Sequence, residues 1–146
     1  MRLLGLDVGD WRIGVSLSDS LGLTAQPLTV VESRRESEAL SAIRALVSRH
    51  QVEKIIVGLP LTMRGTPGPQ SDKVTAFVEA LRRQVTVPIQ LLDERLTTVQ
   101  GTRTLQALGT TGRRRKQLID QVAAQLILQQ FLDAQPRLPA GRHGGS

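Results

Sequence analysis

Between Lys54 and Gly58 the chain reads Ile55-Ile56-Val57, an apolar run with no polar alternation. This run limits the fold more than any other stretch. A strand with one face in water alternates polar and apolar residues; one with no polar face must be covered on both sides, usually in a parallel sheet between helices. The flanking sequence supplies such layers. Arg2–Val8 and Ile13–Ser18 read as two strands of a hairpin, and Gln26–Val31 as a third. Pro27 puts that third strand at a sheet edge, where a missing backbone donor is tolerated. Glu36–His50 lines up Ala39, Leu40, Ile43, Leu46 and Val47 on one helical stripe. Ser33 is its expected cap, with Glu36 completing a capping box. After the loop Leu59–Gly68, the helical repeat of Val74, Phe77, Val78 and Leu81 predicts a helix over Pro69–Arg83. Pro88 introduces Ile89–Asp93 as the fifth strand.

Thr97–Leu108 is a predicted helix stopped by Gly109, followed by a flexible basic loop, Gly109–Arg115. The last helix is Lys116–Ala134, with Ile119, Val122, Ala123, Leu126, Ile127 and Phe131 facing inward. The predicted order is three strands, helix, strand, helix, strand, helix. It describes an α/β protein with a five-stranded mixed sheet and helices packed on both faces. One domain spans residues 1–135, and the Pro/Gly-rich tail 136–146 is expected to be disordered.

The chain carries 19 Lys+Arg against 13 Asp+Glu, a formal net charge of +6, and most of the cations are arginine. That balance favours polyanionic partners, nucleic acid first. There is no cysteine, which excludes disulfides, thiolate zinc sites and thiol nucleophiles. Trp11, Phe77 and Phe131 are the only aromatic rings, so single-strand binding on aromatic platforms is not expected. No apolar run reaches the roughly 18 residues of a membrane span. Asp7 interrupts the first apolar stretch where a signal peptide would continue, so the N-terminus reads as the first strand of a cytoplasmic protein.

Three acids stand out. Asp7 ends an otherwise apolar strand, where a carboxylate is costly unless paired or bound to a cation; it equally suits the start of a turn. Glu94 follows the fifth strand, and ligands gather at the carboxyl ends of strands in α/β sheets. It also suits the first turn of a helix. Asp120 borders the buried stripe of the last helix, sharing its side with Ala123 and Ala124, small residues that let a backbone approach the sheet. Taken together, carboxylates from three elements can hold two divalent cations about 3.5–4 Å apart for phosphodiester cleavage. Magnesium, with its hard oxygen ligands, fits that donor set. His50 and His143 are poorly placed for histidine-based hydrolysis. Arg113-Arg114-Arg115-Lys116, immediately before the helix of Asp120, reads as a phosphate grip or as a solvated charge run.

Four blocks resemble the YqgF/RuvX family. They are Gly5-Leu6-Asp7-Val8-Gly9-Asp10-Trp11-Arg12-Ile13-Gly14-Val15 with Ser18-Asp19, Ile55-Ile56-Val57-Gly58-Leu59-Pro60-Leu61 with Gly65-Thr66, Asp93-Glu94-Arg95-Leu96-Thr97-Thr98, and Ile119-Asp120-Gln121-Val122-Ala123-Ala124-Gln125-Leu126-Ile127-Leu128. They occur in order over nearly the whole chain. Thr62 and Arg64 depart from the family pattern, which commonly has Asn and an acidic or small polar residue there. The resemblance implies an RNase H-like fold and catalytic, metal-holding acids at Asp7, Glu94 and Asp120. It implies Mg2+ or Mn2+ as cofactor, two ions being expected, and nuclease action on branched DNA or on RNA, including maturation of the 5′ end of precursor 16S ribosomal RNA. Expected nucleic-acid contacts are Arg12, Arg95, Thr98, Arg113, Arg114, Arg115 and Lys116. Symmetric junction cutting would also require a homodimer.

Two other readings compete. A non-catalytic RNA-binding ribosome-assembly factor needs only the basic surface. An actin-like ATP-binding protein would share the Asp7-Val8-Gly9 hairpin, but that class encloses ATP between two lobes and this chain supplies one.

Overall fold

The computed structural model describes residues 2–60, 64–66, 68–94 and 112–136. Its elements are β1 (Arg2–Val8), β2 (Arg12–Ser18), β3 (Ala25–Glu32), α1 (Glu36–Arg49), β4 (Val52–Leu59), α2 (Pro69–Arg82), β5 (Ile89–Asp93) and α3 (Arg113–Ala134). One five-stranded sheet runs in the order β3-β2-β1-β4-β5. β1–β2 and β2–β3 are antiparallel, whereas β1–β4 and β4–β5 are parallel. The apolar run in β4 therefore lies between two parallel neighbours, and Ile55, Ile56 and Val57 are fully buried. Pro27 lies on the edge strand β3, beside a register shift opposite Val15/Ser16, where its missing N–H breaks no regular ladder.

The two faces of the sheet carry separate cores. Leu4, Leu6, Val8, Ile13, Val15, Ile55 and Val57 face α1 and α2, meeting Leu40, Ile43, Val74, Phe77 and Leu81. Leu3 and Ile56 face α3, meeting Ala123, Ile127, Leu128 and Phe131. Alternation along each strand sorts residues to the two sides.

On the α3 side the strands carry unusually small residues, and α3 sits close to their backbone. A Cβ on Gly5 would stand 2.4 Å from Ser16 Oγ, 2.8 Å from Leu128 Cβ and 3.0 Å from the Ala124 carbonyl oxygen. Ser16 Oγ donates a buried 2.7 Å hydrogen bond to that same carbonyl. Further along, Gln125 Nε2 donates to the Ala25 carbonyl at 3.0 Å and Ala25 N–H donates to Gln129 Oε1 at 2.9 Å. Thus α3 also satisfies backbone groups of the edge strand β3.

Three sequence expectations need correction. The capping residue of α1 is Arg35, with no side-chain cap. Ser33 instead donates to Glu38 Oε1 at 2.7 Å and accepts the Arg35 N–H at 3.1 Å, so it holds the first turn through a side chain rather than by capping a backbone N–H of the helix. The basic run is not a loop: Arg113, Arg114 and Arg115 form the first turn of α3, because Glu32 on β3 binds both Arg113 and Gln117. The buried stripe of α3 is Ala123, Ala124, Ile127, Leu128, Phe131 and Leu132, with Ile119, Val122 and Leu126 only half-buried. Gly5, Gly14 and Ser16 leave room for backbone, so the helix rolls its alanines into the sheet. The helix expected at Thr97–Leu108 and the tail beyond Pro136 lie outside the described residues.

Gly5→Ala places a methyl group against backbone and a buried hydroxyl, so unfolding stability should fall by about 1–3 kcal/mol or more. Urea denaturation of wild type and variant checks this; equal midpoints would mean that α3 can back away without cost.

Candidate active site

β1 and β2 pair Asp7 directly with Gly14, and directly opposed residues share a face. Asp7 follows Leu3 and Gly5 by the strand's two-residue period, which puts it on the α3 side. There the backbone of α3 descends onto Gly14: a Cβ on Gly14 would lie 2.0 Å from the Asp120 carbonyl oxygen and 3.2 Å from its Cα. Glycine at residue 14 is thus what lets the α3 backbone at Asp120 come down onto the strand position paired with Asp7.

Glu94 arrives from the other side. Leu6 pairs with Val57 across β1–β4, so Asp7 and Gly58 are neighbours one residue further along. Glu94 follows β5 and is 1% exposed. Its carboxyl carbon lies 3.2 Å from where a Gly58 Cβ would be, with Ile127 Cδ1 at 2.5 Å from the same point. The buried side chain thus reaches from β5 over β4, the neighbour of β1, in the space that Gly58 leaves. All three acids lie at one end of the sheet on its α3 face. Leu59–Pro60 and residues 64–66 and 68, after β4, add no carboxylate.

A cation already attends this group. Arg12 Nε lies 3.2 Å from Asp120 Oδ2, with both side chains largely buried. The carboxylate oxygens suit a hard divalent cation by their chemistry. Their spacing is looser than a finished cage: among the described residues no three His, Cys, Asp or Glu side chains stand close enough together to hold an ion.

The expected nucleic-acid contacts separate into three groups. Arg12 is at the acids. Arg114, Arg115 and Lys116 are exposed on the first turn of α3, where the helix dipole adds positive potential. Arg113 bonds the Glu32 carboxylate, which also accepts from Gln117 Nε2 at 2.9 Å. The hydrogen bond from Arg113 is the main influence holding the Glu32 carboxyl below its ordinary pKa of 4.5, against the opposing effect of burial. Arg113 therefore anchors α3 to β3. Arg95, Thr98 and His143 lie outside the described residues, and His50 caps the C-terminus of α1, which leads into the opposite end of β4. Asp19, within the first motif block, has a structural role: its Oδ1 accepts the Leu23 and Thr24 N–H groups in the β2–β3 turn. The role of Gly14 and Gly58 in seating α3 and Glu94 could not be read from the sequence, where their signal is only that of glycines inside strands.

Residues 1–134 match the family described as RuvX: Holliday junction resolvase. A curated relative from Moorella thermoacetica, "Putative pre-16S rRNA nuclease", is 50% identical over 133 residues, covering 91% of this chain and 95% of its own. A relative of the same name from Clostridium acetobutylicum is 44% identical over 92% of this chain and 99% of its own. Among solved structures, Thermus thermophilus RuvC bound to a Holliday junction superposes with a TM-score of 0.60 at 16% identity, covering 100% of this chain and 98% of that one. Fowlpox virus resolvase with junction DNA gives 0.53 at 10% identity, covering 92% and 98%. These distant likenesses establish the RNase H-like fold shared with the resolvases. No helix among the described residues is long and apolar enough to cross a membrane.

Because its folded pKa is depressed, Glu32 contributes stability that is present above pH 4.5 and is lost as the pH falls through the folded value. Wild type should therefore exceed Glu32→Gln in urea midpoint at neutral pH, with the gap closing as the pH falls below 4.5 and through the folded value. A gap independent of pH would show that packing, not charge, joins β3 to α3.

Proposed function

The chain belongs to the RuvX Holliday junction resolvase family, hydrolases acting on nucleic acid, and on that premise we propose that it is a Mg2+- or Mn2+-dependent nuclease that processes precursor 16S ribosomal RNA. The observation that carries this reading is that Asp7, Glu94 and Asp120 all lie toward one end of the sheet on its α3 side, with the α3 backbone at Gly14 and the Glu94 carboxyl at Gly58. Asp7, Glu94 and Asp120 are the residues that would hold the ions. When bound, a pair of divalent cations supplies an activated water and stabilises the departing 3′ oxygen.

The protein's own contribution is placement. Asp7 is fixed by the β1–β2 ladder, and Asp120 by the close seat of α3 on Gly14. Buried Glu94 is held at Gly58, where Ile127 also packs. Arg12 offsets the charge of Asp120 and is positioned to turn its guanidinium toward a phosphate at the same place. Arg114, Arg115 and Lys116 form a basic approach for the strand that leads to these acids. Cleavage in this arrangement leaves a 5′ phosphate.

The preference for an RNA precursor rests on the names of relatives up to 50% identical over nearly the full chain. Junction cutting is the second reading, favoured by the family description. It would need two active sites and hence a homodimer.

A cleavage assay with Mg2+ or Mn2+ on a precursor ribosomal RNA fragment, a four-way junction and single-stranded DNA tests the proposal. Cleavage of the precursor is expected, and Asp7→Asn should reduce it by at least about 100-fold while melting like the wild type, since losing one preorganised electrostatic group commonly costs 10²–10³ in rate. Undiminished cutting by folded Asp7→Asn excludes the mechanism, and cutting of the junction alone replaces the substrate. Gly58→Ala, with its new methyl against Ile127 and Glu94, should lower the cleavage rate more than RNA affinity. Equal losses in both would remove Glu94 from the site.

A further inference from the structure

The chain has three aromatic rings, and two are used in the cores: Phe77 is 7% exposed and Phe131 5%. Trp11, the largest, is 45% exposed in the β1–β2 turn. Burial of so large a ring would normally contribute substantially to stability, so its exposure calls for another reason.

Its neighbours suggest one. The Arg12 guanidinium carbon lies 5.3 Å from the ring centroid, and that of exposed Arg34 lies 5.2 Å from it. Both are at cation–π distance. Ser33 N–H donates to the Trp11 carbonyl at 3.1 Å, which ties the segment carrying Arg34 to the turn carrying the ring. A cleft of about 110 Å³ opens beside it, lined among others by Ser33, Arg34, Glu36 and Phe77. Of the acids nearby, Asp10 is occupied by Lys73 at 2.8 Å and Glu32 by Arg113; Glu36 remains on the wall of the cleft. Arg12 also touches Asp120, so the ring is one guanidinium away from the acids.

We propose that Trp11, with Arg34 and Arg12, forms a stacking seat for one unpaired nucleobase of the substrate strand, next to the scissile phosphate. This rests on the reading that a nucleic-acid strand passes the three acids. A planar π surface with two guanidiniums against it matches a nucleotide in both its parts, base and phosphate. The incoming base takes the place of Arg34 on the ring, and the released guanidinium meets the phosphate beside that base. Arg12 stays between the ring and Asp120, holding the stacked nucleotide in register with the acids. The seat accepts a single base, so it needs one exposed ring and not the series of aromatic platforms that the composition makes unexpected. It selects unpaired strand over duplex, because a base inside a duplex has both faces stacked on its neighbours.

Trp11 is the chain's only tryptophan, so its emission reports the seat directly. The full chain is titrated, with chelator present, with a single-stranded RNA, a DNA of matching sequence and a blunt duplex, while the anisotropy of labelled oligonucleotide reports total binding. Quenching by the single strands and little by the duplex is expected; the tighter of RNA and DNA identifies the strand. Trp11→Leu should weaken single-strand binding by about 5- to 100-fold, leaving duplex binding unchanged. Trp11→Phe should restore most of the loss, and Arg34→Gln should weaken single strands several-fold. Binding seen by anisotropy with unchanged emission, or single-strand affinity equal to wild type in folded Trp11→Leu, overturns the seat. Metal-dependent cleavage with silent emission removes the seat and leaves the nuclease. Quenching without cleavage does the reverse, and no binding of any strand removes both.

Discussion

Everything at this site depends on the close approach of α3 to the β1–β2 hairpin. That approach exists because Gly5 and Gly14 present no side chain and Ser16 presents only a hydroxyl, which bonds the Ala124 carbonyl. With larger residues at those places the helix would ride several ångströms higher, and Asp120 with it. The sheet would survive, but the acids would no longer share one plane of approach. The Ser16 bond matters for a second reason. It gives the helix a polar anchor amid the apolar residues it packs on, and a buried hydroxyl without that partner would be costly.

The same economy of side chains governs the other half of the site. Glu94 is a fully buried carboxyl one strand away from Asp7, and only the bare backbone at Gly58 lets it lean across. Arg12 completes the group by supplying positive charge to Asp120. An arginine in this place keeps concentrated negative charge tolerable in the folded protein, and it is a ready partner for a phosphate.

Much of this was legible in the residues. The apolar run Ile55-Ile56-Val57, the edge Pro27 and the 3.6-residue repeat of Val74, Phe77, Val78 and Leu81 declare their burial locally, and the strands and helices containing them fell within two residues of expectation. The acids could be listed, because a carboxylate at the end of an apolar strand is conspicuous. How Glu94 crosses β4 could not be read, since it depends on an absence, the side chain that Gly58 lacks. The roll of α3 was misread for a related cause: its bulkier residues Ile119, Val122 and Leu126 suggest the inward face, whereas the sheet opposite is shaped for alanine. The start of α3 was hidden because its stabilising carboxylate, Glu32, is 81 residues away from Arg113.

The glutamines of α3 that reach Ala25 bear on how the molecule meets its neighbours. Open backbone groups along a rim invite a foreign strand to add itself, which is the usual route to unwanted aggregation. Here Gln125 and Gln129 already fill the positions such a strand would use at Ala25, and Pro27, two residues on, has no donor to offer. An intruder would have to evict side chains of the very helix that carries Asp120. Self-protection of the sheet margin and integrity of the acidic cluster are thus vested in one helix, and damage to either would be felt by both.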